Sequence, residues 1–301
     1  MKELTEIKYW IFDLDNTLYS GQTKVFSEVD KKMSSFISEK LNVDLIEAKK
    51  IQKEYFYEYG TTLSGLMKKK NVNPNEFLDF VHDIDISWLP KDKLLREELI
   101  KIKEKKYIFS NGSHDHIKNV TKQLGIDDLF DGAFDITDAN FIPKPHLDPY
   151  KKLIEKFKFD PKQSILIEDI AHNLEQAKNL GMKTCWLEND ETFAKKDADK
   201  SYIDYKINNL PSFLQKIMSN LEKIINDAWE NKDQVDQNSD KSLKDAINQV
   251  ISDLDSGKSR VAEKVNGEWI THQHLKKAIM LSFRIYPMEN LNGPYSSWYD
   301  K

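Results

Sequence analysis

Four short segments of this chain carry residue types that could do chemistry. In Ile11-Phe12-Asp13-Leu14-Asp15-Asn16-Thr17-Leu18-Tyr19, a hydrophobic run from Tyr9 to Phe12 stops at two carboxylates two positions apart. Alternate residues of an extended strand share a face. Asp13 and Asp15 are therefore expected close together at a strand's carboxyl end, where open α/β sheets place their sites. Neighbouring carboxylates repel unless a proton or a cation lies between them. A strand followed by an acidic turn, with Asn16 as turn former, accounts for the same residues without any chemistry. Phe109-Ser110-Asn111-Gly112 offers a hydroxyl and backbone N–H groups suited to phosphate oxygens, and is equally the composition of an ordinary turn. Pro143-Lys144-Pro145 stiffens the backbone around a lysine. A cation held beside a carboxylate nucleophile can offset the charge of an incoming phosphate, whereas an exposed loop lysine would do nothing. Ile167-Glu168-Asp169, followed by Asn173, ends another apolar run in two acids. Hard oxygen ligands at two strand ends suit Mg²⁺. Each segment is a weak signal alone; their order and their shared position after apolar runs connect them.

The elements that must position these residues alternate along the chain. Strands are expected at Tyr9 to Leu14, Lys106 to Phe109, Ser164 to Ile167, Lys183 to Leu187 and Tyr205 to Ile207. Helices are expected at Asp115 to Leu124, Asp148 to Phe157 and Asn173 to Leu180, the first and last ended by Gly125 and Gly181. This alternation predicts an α/β fold, a doubly wound parallel sheet covered on both faces. From about Gly21 to Leu89 the period is helical, with Val25, Val29, Met33, Phe36, Ile37 and Leu41 on one face. That block is expected as a helical cap inserted at the sheet's carboxyl edge. Its aromatics Tyr55, Phe56, Tyr57 and Tyr59 could stack on a base or could form the cap's own core. The predicted division is a core of residues 1–20 and 96–215, a cap of 21–95, and a small C-terminal, mostly helical domain of 216–301.

That last domain shows helical stripes at Leu221, Ile224, Ile225, Ala228 and Trp229, then at Leu243, Ala246, Ile247, Val250, Ile251 and Leu254. Ser242 and Asp245 suggest a capping box. Arg260–Val265 and Glu268–Thr271 flank Asn266-Gly267, a β-hairpin signal. Leu275, Ala278, Ile279 and Phe283 mark a further helix. Tyr295, Trp298 and Tyr299 form an aromatic tail, expected where a partner or a further domain would begin.

Composition bounds the partners. The 301 residues carry a formal net charge of −5, with 32% charged and 39% hydrophobic residues. A mildly acidic balance gives no general attraction to nucleic acid or to an anionic membrane. The single cysteine, Cys185, sits in an apolar context and is expected as a buried small hydrophobe. One cysteine forms no internal disulfide, which fits a reducing compartment. With no apolar leader or spanning segment in the sequence, a cytoplasmic protein is the expectation.

The four chemical segments resemble the four motifs of the haloacid dehalogenase superfamily. The acid at Asp15 resembles its phosphatase branch, since the dehalogenases lack an acid there and the P-type ATPases carry threonine. Asn16-Thr17-Leu18-Tyr19, Val29-Asp30-Lys31-Lys32-Met33, Tyr59-Gly60-Thr61-Thr62-Leu63, His82-Asp83-Ile84-Asp85 and Glu168-Asp169-Ile170-Ala171-His172-Asn173-Leu174 are similar to the pyrimidine 5′-nucleotidase group. The resemblance covers about residues 7–215. It implies a phosphatase in which Asp13 is the nucleophile and Asp15 the acid and base. Mg²⁺ would be held by Asp13, the Asp15 carbonyl and Asp169, with Glu168 assisting and Asn173 supporting. Ser110, Asn111 and Lys144 would bind the phosphoryl group of a nucleoside monophosphate.

Residues 221–301 resemble a second family, the N-terminal domain of tetrahydrodipicolinate N-succinyltransferase, an enzyme of lysine biosynthesis. The stretches that carry this are Ala246-Ile247-Asn248-Gln249-Val250-Ile251, Arg260-Val261-Ala262-Glu263-Lys264 and Trp269-Ile270-Thr271-His272-Gln273. That family's transferase site lies in hexapeptide repeats, which this sequence lacks. The resemblance therefore implies no transferase activity here, and at most homo-oligomerisation or pairing with succinyltransferase subunits. His272 and Arg284 are expected as structural or interface residues.

Overall fold

A computed structural model of the chain describes residue 4, residues 7–265 and residues 268–300. The chain divides into two compact units, Ile7–Phe213 and Leu214–Lys301 with Met1–Glu6. In the larger unit the chain runs β1 (Tyr9–Phe12), α1 (Val25–Leu41), α2 (Leu45–Tyr59), α3 (Thr62–Lys70), α4 (Pro74–His82), α5 (Lys93–Lys101), β2 (Lys105–Phe109) and α6 (His114–Leu124). It continues through β3 (Gly132–Phe134), α7 (Leu147–Phe157), β4 (Ser164–Glu168), α8 (Leu174–Asn179), β5 (Lys183–Leu187) and β6 (Tyr205–Ile207) into α9 (Leu210–Glu230). Six strands form one sheet in the order β3-β2-β1-β4-β5-β6, every pair parallel. The doubly wound α/β fold expected from the alternation is the fold observed.

The sheet's centre is apolar on both faces, as a parallel sheet covered by helices requires. Ile11, Phe12, Ile108, Phe109, Leu166, Ile167 and Cys185 are all buried. Burial pushes the Cys185 thiol well up, so this cysteine behaves as the small hydrophobe its context suggests. The register then sets the site. Phe12 lies level with Ile108 on one side and Ile167 on the other, and the Asp13 N–H continues the ladder by donating to the Ile167 carbonyl at 2.9 Å. Asp13 therefore emerges beside Glu168, at one rim with the end of β2.

Strand β1 ends at Phe12, two residues short of expectation. Asp15 lies in the turn that follows, and Asn16 takes a left-handed φ of 59°. It is the turn, not strand alternation, that brings Asp15 to the rim. Strand β3, with Gly132 packed against the Phe157 ring, was not expected; three residues are too few to carry a period.

The helical block after β1 has locally encoded boundaries. Asp44, Thr61 and Asn73 cap α2, α3 and α4 by accepting backbone N–H groups of the first turn. The expected cap boundary at residue 95 falls inside α5. The block has its own apolar centre, where Phe36 meets Phe77 and Phe80 edge to face at 5.2 and 5.4 Å. Tyr55 is buried in it while Tyr57 is 72% exposed. Helices α2 and α3 approach closely because residue 65 is glycine. A methyl group there would fall 2.4 Å from both Cβ and Cγ of Tyr55, and the Cβ is fixed by the backbone. Gly65→Ala is expected to cost about 1–3 kcal/mol, measured by urea unfolding. A variant with the parent's midpoint would contradict this packing.

The smaller unit contains most of α9, then α10 (Lys241–Asp255), β7 (Ala262–Val265), β8 (Glu268–Thr271), α11 (Gln273–Ile285), β9 (Glu289–Asn292) and β10 (Ser297–Asp300). Ile225, Ile247, Val250, Ala278 and Leu281 build a separate core. Strands β7 and β8 pair antiparallel as expected, while Asn266 and Gly267, expected as their turn, lie outside the described residues. One local reading changes. Asp240, not Ser242, caps α10, accepting from the Ser242 and Leu243 N–H groups. The aromatic tail forms a second antiparallel hairpin, β9 with β10. His272 Nε2 lies 2.8 Å from Glu263 Oε1, and Arg284 donates to the Lys232 carbonyl and to Asp233.

Candidate active site

Three strand ends and one loop converge on Lys144. Its ammonium is buried, 2% exposed for the residue. It donates to Asp13 Oδ1 at 2.6 Å, to Glu168 Oε2 at 2.6 Å and to the Phe109 carbonyl at 2.9 Å. All three donor positions of the ammonium are thus directed. The loop carrying Lys144 is pinned from behind, since its backbone N–H donates to Asn111 Oδ1 at 2.9 Å. Ser110 is buried, and its hydroxyl accepts the Gly112 N–H at 2.9 Å. That short turn is the one the Phe109-Ser110-Asn111-Gly112 spacing suggested.

Asp13, Glu168 and Asp169 present carboxylate oxygens within 4.8 Å of one another, and all three residues are buried. Glu168 is held tightly: Oε1 accepts from Asn173 Nδ2 at 3.1 Å and from the Ile170 N–H at 3.3 Å. Asn173 is held in turn by the Tyr150 hydroxyl, which donates to its carbonyl. Asn189 Nδ2 donates to Asp169 Oδ2 at 2.7 Å, and the Trp186 indole N–H donates to the Asp169 carbonyl at 2.7 Å.

Three buried carboxylates face one buried ammonium. Burial, followed by the charge of Glu168, pushes Asp13 up to about 7 despite Lys144. Burial, Glu168 and Asp13 push Asp169 well above the usual carboxylate range. Burial would lower Lys144, but Asp13 and Glu168 overcome it and raise it. A second cation would relieve this excess of negative charge. The donors are hard oxygens and few in number, so the residues fit Mg²⁺.

Asp15 has a different environment. Its carboxylate is not in the cluster of three; the resemblance offers only its carbonyl as a ligand. The Tyr19 hydroxyl donates to Asp15 Oδ1 at 2.6 Å, and His116 Nε2 lies 2.7 Å from the same oxygen. Burial alone would raise this acid, but the His116 ring and the two hydrogen bonds hold it down at about 2. The His82 ring stacks on His116 at 4.4 Å, 17° from parallel, and its Nδ1 lies 2.8 Å from the Ser113 hydroxyl. Burial, then the neighbouring His116, pushes His82 down to about 3.

All expected site residues thus lie at this rim: Asp13, Asp15, Ser110, Asn111, Lys144, Glu168, Asp169 and Asn173. Sequence reasoning assigned no role to Tyr19, His82, His116 or Asn189. Two of them carried a usable signal, because His116 falls in the first turn of α6 behind the Ser113 cap and Tyr19 stands four residues after Asp15. The rim opens into a cleft of about 1950 Å³, lined on the helical side by Met33, Gln52, Phe56, Tyr59 and Lys68. Among the described residues, no helix is long and apolar enough to cross a membrane.

Comparison with known proteins assigns two families along the chain. Residues 7–181 match the family model described as haloacid dehalogenase-like hydrolase. Residues 220–285 match that of the tetrahydrodipicolinate N-succinyltransferase N-terminal region. Phosphate metabolism protein 8 of Saccharomyces cerevisiae is 34% identical over 196 residues, 58% of this chain and 60% of the yeast protein. The 2,3,4,5-tetrahydropyridine-2,6-dicarboxylate N-succinyltransferase of Pelagibacter ubique is 61% identical over 84 residues, 28% of this chain and 30% of that enzyme. The chain thus spans less than two thirds of either relative. The crystal structure of the HAD phosphatase from Thermococcus onnurineus aligns over 70% of this chain and 98% of that one, with 19% identity and a TM-score of 0.48.

Proposed function

This chain belongs to the haloacid dehalogenase-like hydrolases, and from that premise we propose that it is a Mg²⁺-dependent phosphomonoesterase whose substrate is a pyrimidine nucleoside 5′-monophosphate. The observation that carries the reaction type is the pair of 2.6 Å contacts from Lys144 to Asp13 and Glu168, set beside the Ser110 turn. Asp13, Ser110 and Lys144 line one cleft, which supports a carboxylate nucleophile with a fixed cation beside the incoming phosphate. The pyrimidine assignment rests on the sequence resemblance. A cleft with Phe56 and Tyr59 on one wall is compatible with a stacked base.

In this reading the phosphoryl group sits against Ser110 and Lys144. Asp13 attacks phosphorus, forming an aspartyl-phosphate as the ester oxygen departs. The departing oxygen needs a proton. Asp15, ionised in the free protein, takes one from the monoanion of the incoming ester, whose second pKa is about 6, and passes it to the leaving alcohol. The regenerated Asp15 carboxylate then accepts a proton from the water that attacks the aspartyl-phosphate, returning Asp13, and gives that proton to the departing phosphate, which restores the ionised Asp15. Asp13, the Asp15 carbonyl, Asp169 and Glu168 would hold Mg²⁺, which supplies charge neutralisation at the phosphoryl oxygens. The helical block of residues 21–95 serves as the cap that excludes water over the bound ester.

The test is a screen of nucleoside monophosphates against sugar phosphates, with and without chelator. Pyrimidine nucleotides are expected to be preferred, and EDTA is expected to reduce turnover at least about 100-fold, with recovery on adding Mg²⁺. Turnover indifferent to EDTA would overturn the metal assignment, and a strong preference for sugar phosphates the substrate assignment.

For residues 214–301, the 61% identity to one end of a succinyltransferase favours an assembly role with such subunits, without transfer chemistry. Co-elution with a full-length succinyltransferase is the expected result; separate elution at micromolar concentrations would exclude that role.

A further inference from the structure

Asp15 carries the proton in the reading above, and that reading says nothing about which of its oxygens does so. The two oxygens differ. Oδ1 receives both the Tyr19 hydroxyl at 2.6 Å and His116 Nε2 at 2.7 Å. A carboxylate oxygen offers about two lone-pair positions, so Oδ1 is fully engaged. Oδ2 points elsewhere. A Cβ placed on Gly112 would stand 3.8 Å from Asp15 Oδ2, 3.2 Å from Ser110 Oγ and 3.1 Å from His116 Cδ2. Oδ2 therefore lies beside the Ser110 to Gly112 turn, against which the proposed reaction seats the phosphoryl group.

The donors themselves are fixed. His116 is buried in the first turn of α6, its backbone N–H donating to the capping Ser113 hydroxyl. The His82 ring lies flat against it at 4.4 Å, and the same Ser113 hydroxyl meets His82 Nδ1 at 2.8 Å. His82 ends α4, the last helix of the cap expected at residues 21–95. The His116 ring is thus held by α6, which carries it, and by His82 at the end of α4, stacked on its face.

We infer that His116 and Tyr19 are positioning residues for Asp15, occupying Oδ1 so that Oδ2 alone is presented to the leaving group. The inference rests on the proposed phosphomonoesterase reaction. Neither side chain touches the reacting atoms. Their removal lets the carboxyl group rotate and pair through either oxygen, so the proton is delivered less often along the productive line.

Leaving-group dependence separates this role from simple support of the fold. An alkyl ester such as uridine 5′-monophosphate expels a poor leaving group that needs the proton, whereas 4-nitrophenyl phosphate expels a stable phenolate that hardly does. In His116→Ala, kcat on the alkyl ester is expected to fall about 100-fold or more, and on the aryl ester less than about 10-fold. KM should move little. His116→Gln keeps an N–H near the Nε2 position and is expected to recover much of the alkyl activity. Tyr19→Phe, which removes only a hydroxyl, should show the same asymmetry at smaller size. Equal losses on both esters in both the His116 and Tyr19 variants, or a His116→Gln no better than His116→Ala, would overturn the inference. Wild-type protein that hydrolyses neither ester would instead remove the reading beneath it.

Discussion

Asp13→Asn is expected to abolish phosphomonoester hydrolysis while the protein stays folded. The amide has nearly the carboxylate's shape and keeps an oxygen for the Lys144 ammonium, now 2.6 Å from Asp13 Oδ1. It lacks the negative charge that attacks phosphorus, and the adjacent Glu168 is engaged through both oxygens and does not replace it. Removing a nucleophile typically costs at least about 10⁴-fold in kcat. The fold should tolerate the change. Burial and the nearby carboxylates already disfavour the Asp13 charge, so neutralising it relieves repulsion. Steady-state assays alongside thermal unfolding check both halves. A purified variant that retains activity contradicts the mechanism.

Lys144→Met is expected to damage both function and fold. Functionally, the phosphoryl group loses the fixed cation that Lys144 supplies at the rim, a loss of about 10²–10³-fold in kcat/KM. Structurally, Asp13, Glu168 and Asp169 are left buried and uncompensated. Breaking a buried ion pair by deleting one partner costs about 3–5 kcal/mol. The pH dependence has a definite sign. A carboxyl group whose folded pKa is raised holds a proton that the unfolded chain releases, so stability falls as pH rises from the unfolded pKa through the folded one. In the parent protein without metal, Asp13 contributes such a fall between 3.8 and about 7, and Asp169 acts in the same direction. Without Lys144 to hold these acids ionised, the fall should deepen and extend to higher pH. Chelated samples melted across that range check it, and a variant that melts like the parent at pH 7 would contradict the account of Lys144 as counter-charge.

The residues legible in the sequence share one physical trait. Asp13, Ser110 and Glu168 stand at or just beyond the ends of apolar runs, and a parallel sheet brings such ends to one rim. Lys144 was legible because two prolines flank it. Tyr19 and His116 left only a positional signal, one four residues after Asp15 and the other behind the Ser113 cap, and their contacts with Asp15, like the place of His82, depend on a packing arrangement. His82 closes α4, His116 lies in the first turn of α6 34 residues later in the chain, and only the folded chain stacks the two rings and brings His116 to Asp15. Asp15 shows the limit of periodicity reasoning: its position was right, but a left-handed Asn16 turn produces it. Strand β3 and the β9–β10 hairpin escaped notice for another reason. Short strands with glycine, or aromatics facing solvent, leave no clear alternation between buried and exposed positions.

The most direct test of the central claim is to trap the phosphorylated enzyme. Protein turning over uridine 5′-monophosphate is quenched in acid, which preserves acyl phosphates, and its peptides are examined by mass spectrometry. One phosphoryl group is expected on the peptide containing Asp13, absent from Asp13→Asn and absent when Mg²⁺ is chelated. Steady release of phosphate with no phosphoryl group on Asp13 at any quench time would contradict the account.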